Sequence, residues 1–183
     1  LFPYTTLFRS VHAMGRSDSH PKQRNKTPVI QCDIACYKVI CEQAASPIFT
    51  AIDVETGMCM AAQIEDKTQS MQYLSTCLQQ FLVECGRTHA VLNNAVIQSN
   101  NEDFLIALLT ATATAMSRRQ SPAYTSQAEG SIEHFHRTLT RQVRALKLKL
   151  GNSYNTRLTG KHPIMPWMMK HAAYLLKRYA TNL

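Results

Sequence analysis

Residues 29–37 read Val-Ile-Gln-Cys-Asp-Ile-Ala-Cys-Tyr, an apolar run that contains a single acid, Asp33. An apolar run of this length and composition predicts a strand in the core of the protein. A carboxylate on such a strand costs free energy to bury unless it is paired or binds a metal ion. Asp33 is therefore the first candidate functional residue of the chain.

Further strands and helices follow this strand. Residues 47–54 and 58–64 predict two strands around the turn Glu55-Thr56-Gly57. Apolar spacing and turn residues then predict a helix over 67–85, a strand over 89–98, a helix over 102–110, a strand over 112–116, a mobile loop over 117–130, and helices over 131–150 and 165–179. This order predicts an α/β fold, in which a mixed five-stranded sheet carries helices on both faces. In the last helix, Trp167 is expected to pack in the core together with Met165, Met168 and Met169; the alternative is an exposed platform for a nucleobase.

The composition excludes several classes of protein. A chain of 183 residues suits one domain. No apolar run approaches the ~20 residues of a membrane span, and 17 % charged residues are too few for a disordered polyelectrolyte. The six cysteines mostly lie in apolar surroundings, which is typical of buried thiols in a reducing compartment. We therefore expect an intracellular protein that is not embedded in a membrane.

The charge is distributed unevenly along the chain. Residues 1–117 contain 8 basic and 10 acidic residues, whereas residues 118–183 contain 12 basic residues and only two acids, Glu129 and Glu133. The net charge therefore changes from −2 (8 − 10) to +10 (12 − 2) between these two parts. This asymmetry indicates a polyanionic partner, nucleic acid rather than membrane. The alternative is a basic surface that only favours solubility.

The helix predicted over 131–150 separates its polar residues from its apolar ones. Helical spacing places six residues on a polar face, namely Glu133, His136, Arg137, Thr140, Arg144 and Lys147. It places six more on an apolar face, namely Ile132, Phe135, Leu139, Val143, Leu146 and Leu150. We expect the apolar face to pack on the sheet and the cations to contact DNA phosphates. The alternative is a solvated face with a weak Glu133–Arg137 pair.

Three polar residues stand at successive ends or centres of these elements: Asp33 in the first strand, Asn100 after the fourth, and Glu133 at the start of the long helix. Taken singly, each has an ordinary explanation as a strand acid, a helix cap or an acid at a helix start. In this order and spacing they resemble the catalytic core of retroelement integrases, in the ribonuclease-H-like superfamily. The resemblance covers about residues 28–180. The segments that carry it are Ile30-Gln31-Cys32-Asp33, Phe49-Thr50-Ala51-Ile52-Asp53 with the turn Glu55-Thr56-Gly57, Gln98-Ser99-Asn100-Asn101-Glu102, Ser126-Gln127, Gly130 to Thr138, His162-Pro163-Ile164-Met165-Pro166-Trp167, His171-Ala172-Ala173 and Arg178-Tyr179.

The resemblance implies metal-dependent DNA strand transfer and phosphodiester cleavage during DNA integration. Two Mg²⁺ or Mn²⁺ ions would be used, with Asp33 bridging them and Glu133 holding the second. It also implies that Tyr124 and Gln127 contact DNA ends, that the chain forms homo-oligomers, and that it acts on host DNA in the nucleus.

The chain departs from the family at the second catalytic position, which is Asp in integrases and Asn100 here. An amide oxygen supplies no negative charge, so we expect weaker metal binding and impaired activity. One alternative is a catalytically dead relic that still binds nucleic acid. The other is an interaction domain without enzymatic activity.

The resemblance also divides the chain into segments. Residues 29–150 correspond to an integrase catalytic core, and residues 151–183 to a post-core helical segment that we expect to be truncated. Residues 1–10 look like a translated sequencing adapter, and residues 11–28 read as a basic linker. His12 and His20 stand where integrases have the end of a zinc module, but no Cys-x-x-Cys accompanies them, so no zinc is expected.

Overall fold

A computed structural model describes residues 27–37, 46–64, 70–87, 95–114, 116–120, 130–160 and 162–179. The strands in these residues are β1 (Val29–Tyr37), β2 (Ser46–Asp53), β3 (Cys59–Gln63), β4 (Val96–Ser99) and β5 (Ser117–Gln120). The helices are α1 (Ser70–Glu84), α2 (Asp103–Thr112), α3 (Gly130–Tyr154) and α4 (Ile164–Tyr179). None of the helices in the described segments is long and apolar enough to cross a membrane.

The five strands form one sheet in the order β3-β2-β1-β4-β5. Strand β1 pairs antiparallel with β2, which pairs antiparallel with β3, whereas β1–β4 and β4–β5 are parallel. The β2–β3 hairpin closes through a hydrogen bond from the Gly57 amide to the Asp53 carbonyl at 2.8 Å. Gly57 has a φ of +72°, a conformation that glycine adopts without steric penalty. The prediction of a mixed five-stranded sheet is confirmed.

Helices cover both faces of this sheet, as predicted. Successive residues of β1 point to opposite faces, so Ile30 and Cys32 pack in one core with α1 and α2. On the other face, β2 and β3 pack against α3 and α4 in a second core. The residues of α3 buried in that core are Ile132, Phe135, Leu139 and Val143, with Leu146 and Leu150 partly buried. The predicted apolar face of the long helix is therefore confirmed.

The prediction of a fifth strand over 112–116 is wrong. Helix α2 continues through Thr112, and the strand instead covers Ser117–Gln120, inside the predicted loop. All four residues of β5 are exposed at the edge of the sheet, so the strand lacks the apolar alternation by which strands are recognised. Arg118 and Arg119 give this edge strand the charged side chains that protect exposed edges from pairing with other chains.

The predicted burial of Trp167 is also wrong. Met165, Met168 and Met169 lie in the core, whereas Trp167 is 56 % exposed. Residue 167 lies roughly half a turn around the helix from residue 165, on the side of α4 that faces solvent. There its ring stacks on His171 with 4.7 Å between ring centroids.

A buried ion pair joins the β2–β3 hairpin to the chain after α1. Arg87 Nη2 lies 2.7 Å from Asp53 Oδ2 and 2.8 Å from Glu55 Oε2. The Asp53 side chain is fully buried, whereas the Glu55 side chain is 60 % exposed. Arg87 therefore compensates a carboxylate that has no access to water.

Candidate active site

Gln31 fixes the start of α3 above β1. It lies two residues before Asp33 on the same face of the strand, and its Oε1 atom accepts a hydrogen bond from the Ile132 amide at 3.0 Å. The first amides of a helix have no partner within the helix, so this side chain satisfies one of them in a buried place. Because Glu133 follows Ile132 directly, this hydrogen bond helps to fix the position of Glu133 at the start of α3. Gln31 belongs to one of the segments that resemble integrases, but the sequence alone assigns it no role.

Asp33 and Asn100 are in direct contact. The parallel register pairs Cys32 with Ser99, which brings the next residues of β1 and of the chain after β4 side by side. Asn100 Nδ2 donates a hydrogen bond to Asp33 Oδ1 at 2.8 Å, and the Ile34 amide donates a second one to the same oxygen at 2.8 Å. Asn100 Oδ1 accepts a hydrogen bond from the Glu102 amide at 3.2 Å. Both contacts of Asn100 require the same orientation of its amide.

His136 lies on the other side of Asp33. Its Nε2 atom is 2.7 Å from Thr50 Oγ1, and its Nδ1 atom is 3.9 Å from Asp33 Oδ2. Thr50, which pairs with Asp33 across the two strands, donates its hydroxyl hydrogen to the Asp33 backbone carbonyl at 3.0 Å. Burial lowers the pKa of His136 to about 4, so the ring is neutral at pH 7. The predicted contact of His136 with DNA stays a prediction, and it cannot rest on a positive charge.

Glu133 stands one helical turn from this cluster. It is exposed in the first turn of α3, three residues before His136. Residues three apart on a helix have Cβ atoms about 5–6 Å from each other on the same side. The structure therefore places Asn100 and His136 next to Asp33, through different oxygens of its carboxylate, and presents Glu133 on the side of α3 that carries His136.

Cations lie on α3, which carries Glu133 and His136, and on β5, at the edge of the sheet. On α3, Arg137 and Arg144 are exposed and Lys147 is half-buried, in agreement with the predicted polar face. On β5, Arg119 Nη2 donates to Gln98 Oε1 at 2.5 Å. Arg119 also lines, with Arg118 and Ser99, a cavity of about 380 Å³ beside β4. The sequence analysis placed both arginines in a predicted loop, whereas the structure places them on strand β5.

The adapter-like residues 1–10, most of the predicted linker over 11–28, and four residues discussed for their possible roles lie outside the described residues. The four residues are Tyr124 and Gln127, predicted to contact DNA, and His12 and His20 of the N-terminal segment. Their predicted roles stay predictions.

The donor atoms of the cluster do not fit two metal ions bridged by two acids. Asn100 turns its amide nitrogen toward Asp33, and its oxygen, the only atom that could bind a cation, already accepts the Glu102 amide. Within the segments that the structure describes, no three His, Cys, Asp or Glu side chains converge as a ligand set. The His136 ring lies 3.9 Å from Asp33 Oδ2, and Glu133 precedes His136 by three residues on α3.

The strand order and the position of this cluster define the class of fold. Strands β3, β2 and β1 form an antiparallel unit, and β4 and β5 continue it in parallel. Polar residues stand at the centre of β1 and after β4. This arrangement matches the ribonuclease-H-like fold of integrase catalytic cores. The fold class predicted from the sequence is therefore confirmed.

Solved structures support this assignment. The catalytic core domain of BIV integrase superposes with a TM-score of 0.53 at 15 % identity, covering 86 % of this chain and 88 % of that one. The HTLV-2 integrase catalytic core domain in complex with magnesium, in a trimeric form, gives 0.54 at 14 % identity, covering 84 % and 86 %. A chain of the simian T-cell lymphotropic virus intasome, in complex with the PP2A regulatory subunit B56 gamma, gives 0.55 at 14 % identity, covering 86 % and 50 %. The sequence matches no family model and no curated protein.

Proposed function

We propose that this chain is an integrase-type core for metal-dependent DNA strand transfer and phosphodiester cleavage, and that Asn100 impairs its activity. The observation that carries the proposal is the contact between Asp33 and Asn100, beside the helix that bears Glu133, in a fold shared with integrase catalytic cores. These three positions are those at which the sequence resembles the integrase motifs.

A divalent cation bound at this cluster would activate the attacking oxygen and stabilise the leaving oxygen. Asp33 supplies a full negative charge toward such a cation, and Glu133 supplies another from α3. Asn100 supplies none, and its N–H group competes with a cation for the Asp33 carboxylate. We therefore expect weak metal binding in this chain, and expect the two-ion arrangement only when Asn100 is replaced by Asp.

The cations of α3 would hold DNA beside the cluster. Arg137, Arg144 and Lys147 follow Glu133 along one polar face, so phosphates that reach Glu133 meet these side chains. Tyr124 and Gln127 would contact the DNA end. By analogy with the trimeric HTLV-2 core and the viral intasome, we propose a homo-oligomer. From the resemblance of the sequence to integrases, we propose that it acts in the nucleus on host DNA.

The test is a nicking and strand-transfer assay with Mg²⁺ or Mn²⁺ on a labelled DNA duplex. The chain as it stands is compared with Asn100→Asp, with Asn101→Asp as the matched control and with Asn100→Asp/Glu133→Gln as the blank. Activity only in Asn100→Asp supports a disabled integrase core. Activity of the unmodified chain contradicts the proposed impairment, and inactivity of every variant contradicts the enzymatic proposal.

The second candidate function is a relic that binds nucleic acid without cutting it. It is favoured by the hydrogen bond from Asn100 to Asp33, which satisfies the carboxylate without a metal. DNA binding that weakens steeply with salt, together with inactive Asn100→Asp, would support the relic. Absent or salt-insensitive DNA binding would instead support an interaction domain without enzymatic activity.

A further inference from the structure

We propose that an aromatic stripe on the exposed side of α4 binds single-stranded nucleic acid by stacking a base on Trp167. The stripe consists of Trp167, His171, Tyr174 and Arg178. It lies on a different helix from Glu133 and His136, so the inference does not depend on the metal-dependent reaction proposed for that cluster.

The aromatic stripe follows one line along α4. Its members are separated by four, three and four residues, the spacing that places side chains above one another on one side of a helix. From Trp167 to Arg178 the helix rises about 16 Å, at about 1.5 Å per residue. That length corresponds to roughly five stacked nucleotides at about 3.4 Å each. The stripe is therefore long enough to contact several nucleotides of one strand.

The rings of the aromatic stripe form a single stack. The Trp167 and His171 rings have centroids 4.7 Å apart and planes within 8° of each other. The His171 and Tyr174 rings follow at 6.2 Å and 19°. Arg178 Cζ lies 5.9 Å from the centroid of the Tyr174 ring, within the range of a cation–π contact. A stack of parallel flat rings is extended most readily by another flat ring, and every nucleobase has such a face.

Trp167 is the first ring of the stack and is well placed to receive a base. It is 56 % exposed, and Tyr174 is 47 % exposed. One face of the indole lies on His171, so a base would stack on the opposite face. Covering the indole in this way removes apolar surface from water, which favours binding. The exposure of Trp167 thus favours the platform for a nucleobase over the core position expected from the sequence.

The charges of α4 favour a polyanionic partner. The helix contains three cations, Lys170, Lys177 and Arg178, and no acid. Lys177 is paired with Glu84 of α1, whereas Arg178 is exposed at the end of the stripe. A phosphate that flanks the stacked base would be attracted to Arg178. An acidic peptide would satisfy the same charge but would not extend the stack of rings, so a nucleic acid strand suits the stripe better.

The stripe suits single strands and not duplexes. In a duplex the bases stack on one another, and a base reaches a protein ring only after it leaves the stack, which costs free energy. In a single strand the faces of the bases are available, and stacking on aromatic side chains is tolerant of sequence. Duplex binding by the cations of α3 is therefore a separate property that can be measured beside it.

The fluorescence of Trp167 tests the inference, because it is the only tryptophan of the 183-residue chain. The unmodified chain is titrated with a single strand of about 12 deoxythymidines, with a uridine strand of the same length, with an abasic strand and with a duplex. Both strands that carry bases are expected to quench the emission of Trp167, and the stronger binder identifies DNA or RNA as the preferred source. The abasic strand, which keeps the phosphates, and the duplex are expected to leave the emission unchanged.

Substitutions test the same site by a second measurement. Trp167→Ala should weaken binding of a labelled thymidine strand, followed by fluorescence anisotropy, on the order of tenfold. Tyr179→Ala is the matched control, because Tyr179 is 69 % exposed on α4 but lies outside the stripe, and it should change the affinity little. Arg178→Gln should make the slope of log affinity against log salt concentration shallower by about 0.7.

Three results would overturn the inference: emission that no strand changes, quenching by the abasic strand or the duplex, and equal affinities of Trp167→Ala and Tyr179→Ala. Emission that changes with protein concentration and not with added strand would show that a second copy of the chain covers the stripe, and would overturn it too. If Trp167→Ala fails to fold, the emission of the unmodified chain decides.

The outcomes also separate the stripe from the proposed function. Nicking of duplex DNA by a chain whose Trp167 emission no strand changes would exclude only the stripe. Quenching by single strands in a chain that is inactive even as Asn100→Asp would exclude the enzymatic function and support the stripe.

Discussion

Asn100 donates a hydrogen bond to the Asp33 carboxylate at 2.8 Å. This one contact joins the centre of β1 to the end of β4 and gives the Asp33 carboxylate a neutral partner. An acid at position 100 would instead place a second negative charge at hydrogen-bond distance. The identity of residue 100 therefore decides whether the cluster is stable without a cation or depends on one.

Asn100→Asp is expected to lower the free energy of unfolding in EDTA by about 1–3 kcal/mol, because a hydrogen bond is lost and two carboxylates repel each other. Saturating Mn²⁺ should restore much of that loss, because a ligand that binds only the folded state stabilises it. Urea denaturation with and without Mn²⁺ measures both effects. Asn101→Asp adds the same charge at an exposed neighbouring position and should change little. Equal stabilities of the two variants in EDTA would contradict this account of the Asp33–Asn100 contact.

Gln31→Leu is expected to loosen the start of α3. The substitution leaves the buried Ile132 amide without its acceptor, which costs about 1–3 kcal/mol. Hydrogen exchange of the Ile132 amide should accelerate beyond what the global loss of stability explains. Gln79→Leu, on the exposed face of α1, is the control. Unchanged protection of Ile132 would show that the helix start is held by other contacts.

The parts of the candidate site that could be predicted from the sequence are those marked by a local pattern of residues. Asp33 was evident because an acid within an apolar strand is unusual, and the buried face of α3 was evident from helical spacing. Gln31 and Thr50 belong to segments that resemble integrases, but the sequence assigns them no role, because their roles depend on the register between β1 and β2 and on where α3 crosses the sheet. Such partners lie far apart in sequence, so local sequence does not show which atoms they contact.

The missed features on the surface have a different cause. Strand β5 carries no apolar alternation because the sheet edge buries none of its side chains. Trp167 was assigned to the core by residue type, although its position relative to Met165 already placed it on the opposite side of α4. For Trp167, its position around the helix predicts exposure correctly, whereas the hydrophobicity of its side chain does not.

Arg87→Met is expected to destabilise the chain by about 3–5 kcal/mol, because it leaves the fully buried Asp53 carboxylate without its partner. Glu55→Gln removes the exposed partner of the same arginine and should cost less than about 1 kcal/mol. Guanidinium denaturation of both variants measures the difference. Similar losses in the two variants would mean that burial does not distinguish the two carboxylates.

Arg144→Gln is expected to weaken DNA binding without changing the fold. The side chain is exposed on the polar face of α3, so its loss removes the proposed phosphate contact and little packing. The slope of log affinity against log salt concentration should become shallower by about 1. Lys170→Gln removes an exposed charge from α4 and is the control. An equal effect of the two substitutions would indicate that net charge, and not the face of α3, binds the DNA.

His136 is expected to make the stability of the metal-free chain depend on pH between about 6.5 and 4. Burial lowers the pKa of His136 from 6.5 to about 4 in the folded chain. Between these values the unfolded chain binds more protons than the folded one, so the free energy of unfolding falls as the pH falls. The free energy of unfolding lost over this whole pH range is at most roughly 3 kcal/mol. It should be present in the unmodified chain and in His134→Asn, and absent in His136→Asn. The Asp33 carboxylate, which faces the His136 ring, is present in all three proteins. The difference between His136→Asn and the other two proteins therefore reports the titration of the imidazole alone. Parallel stability curves for all three proteins would contradict a buried, neutral His136.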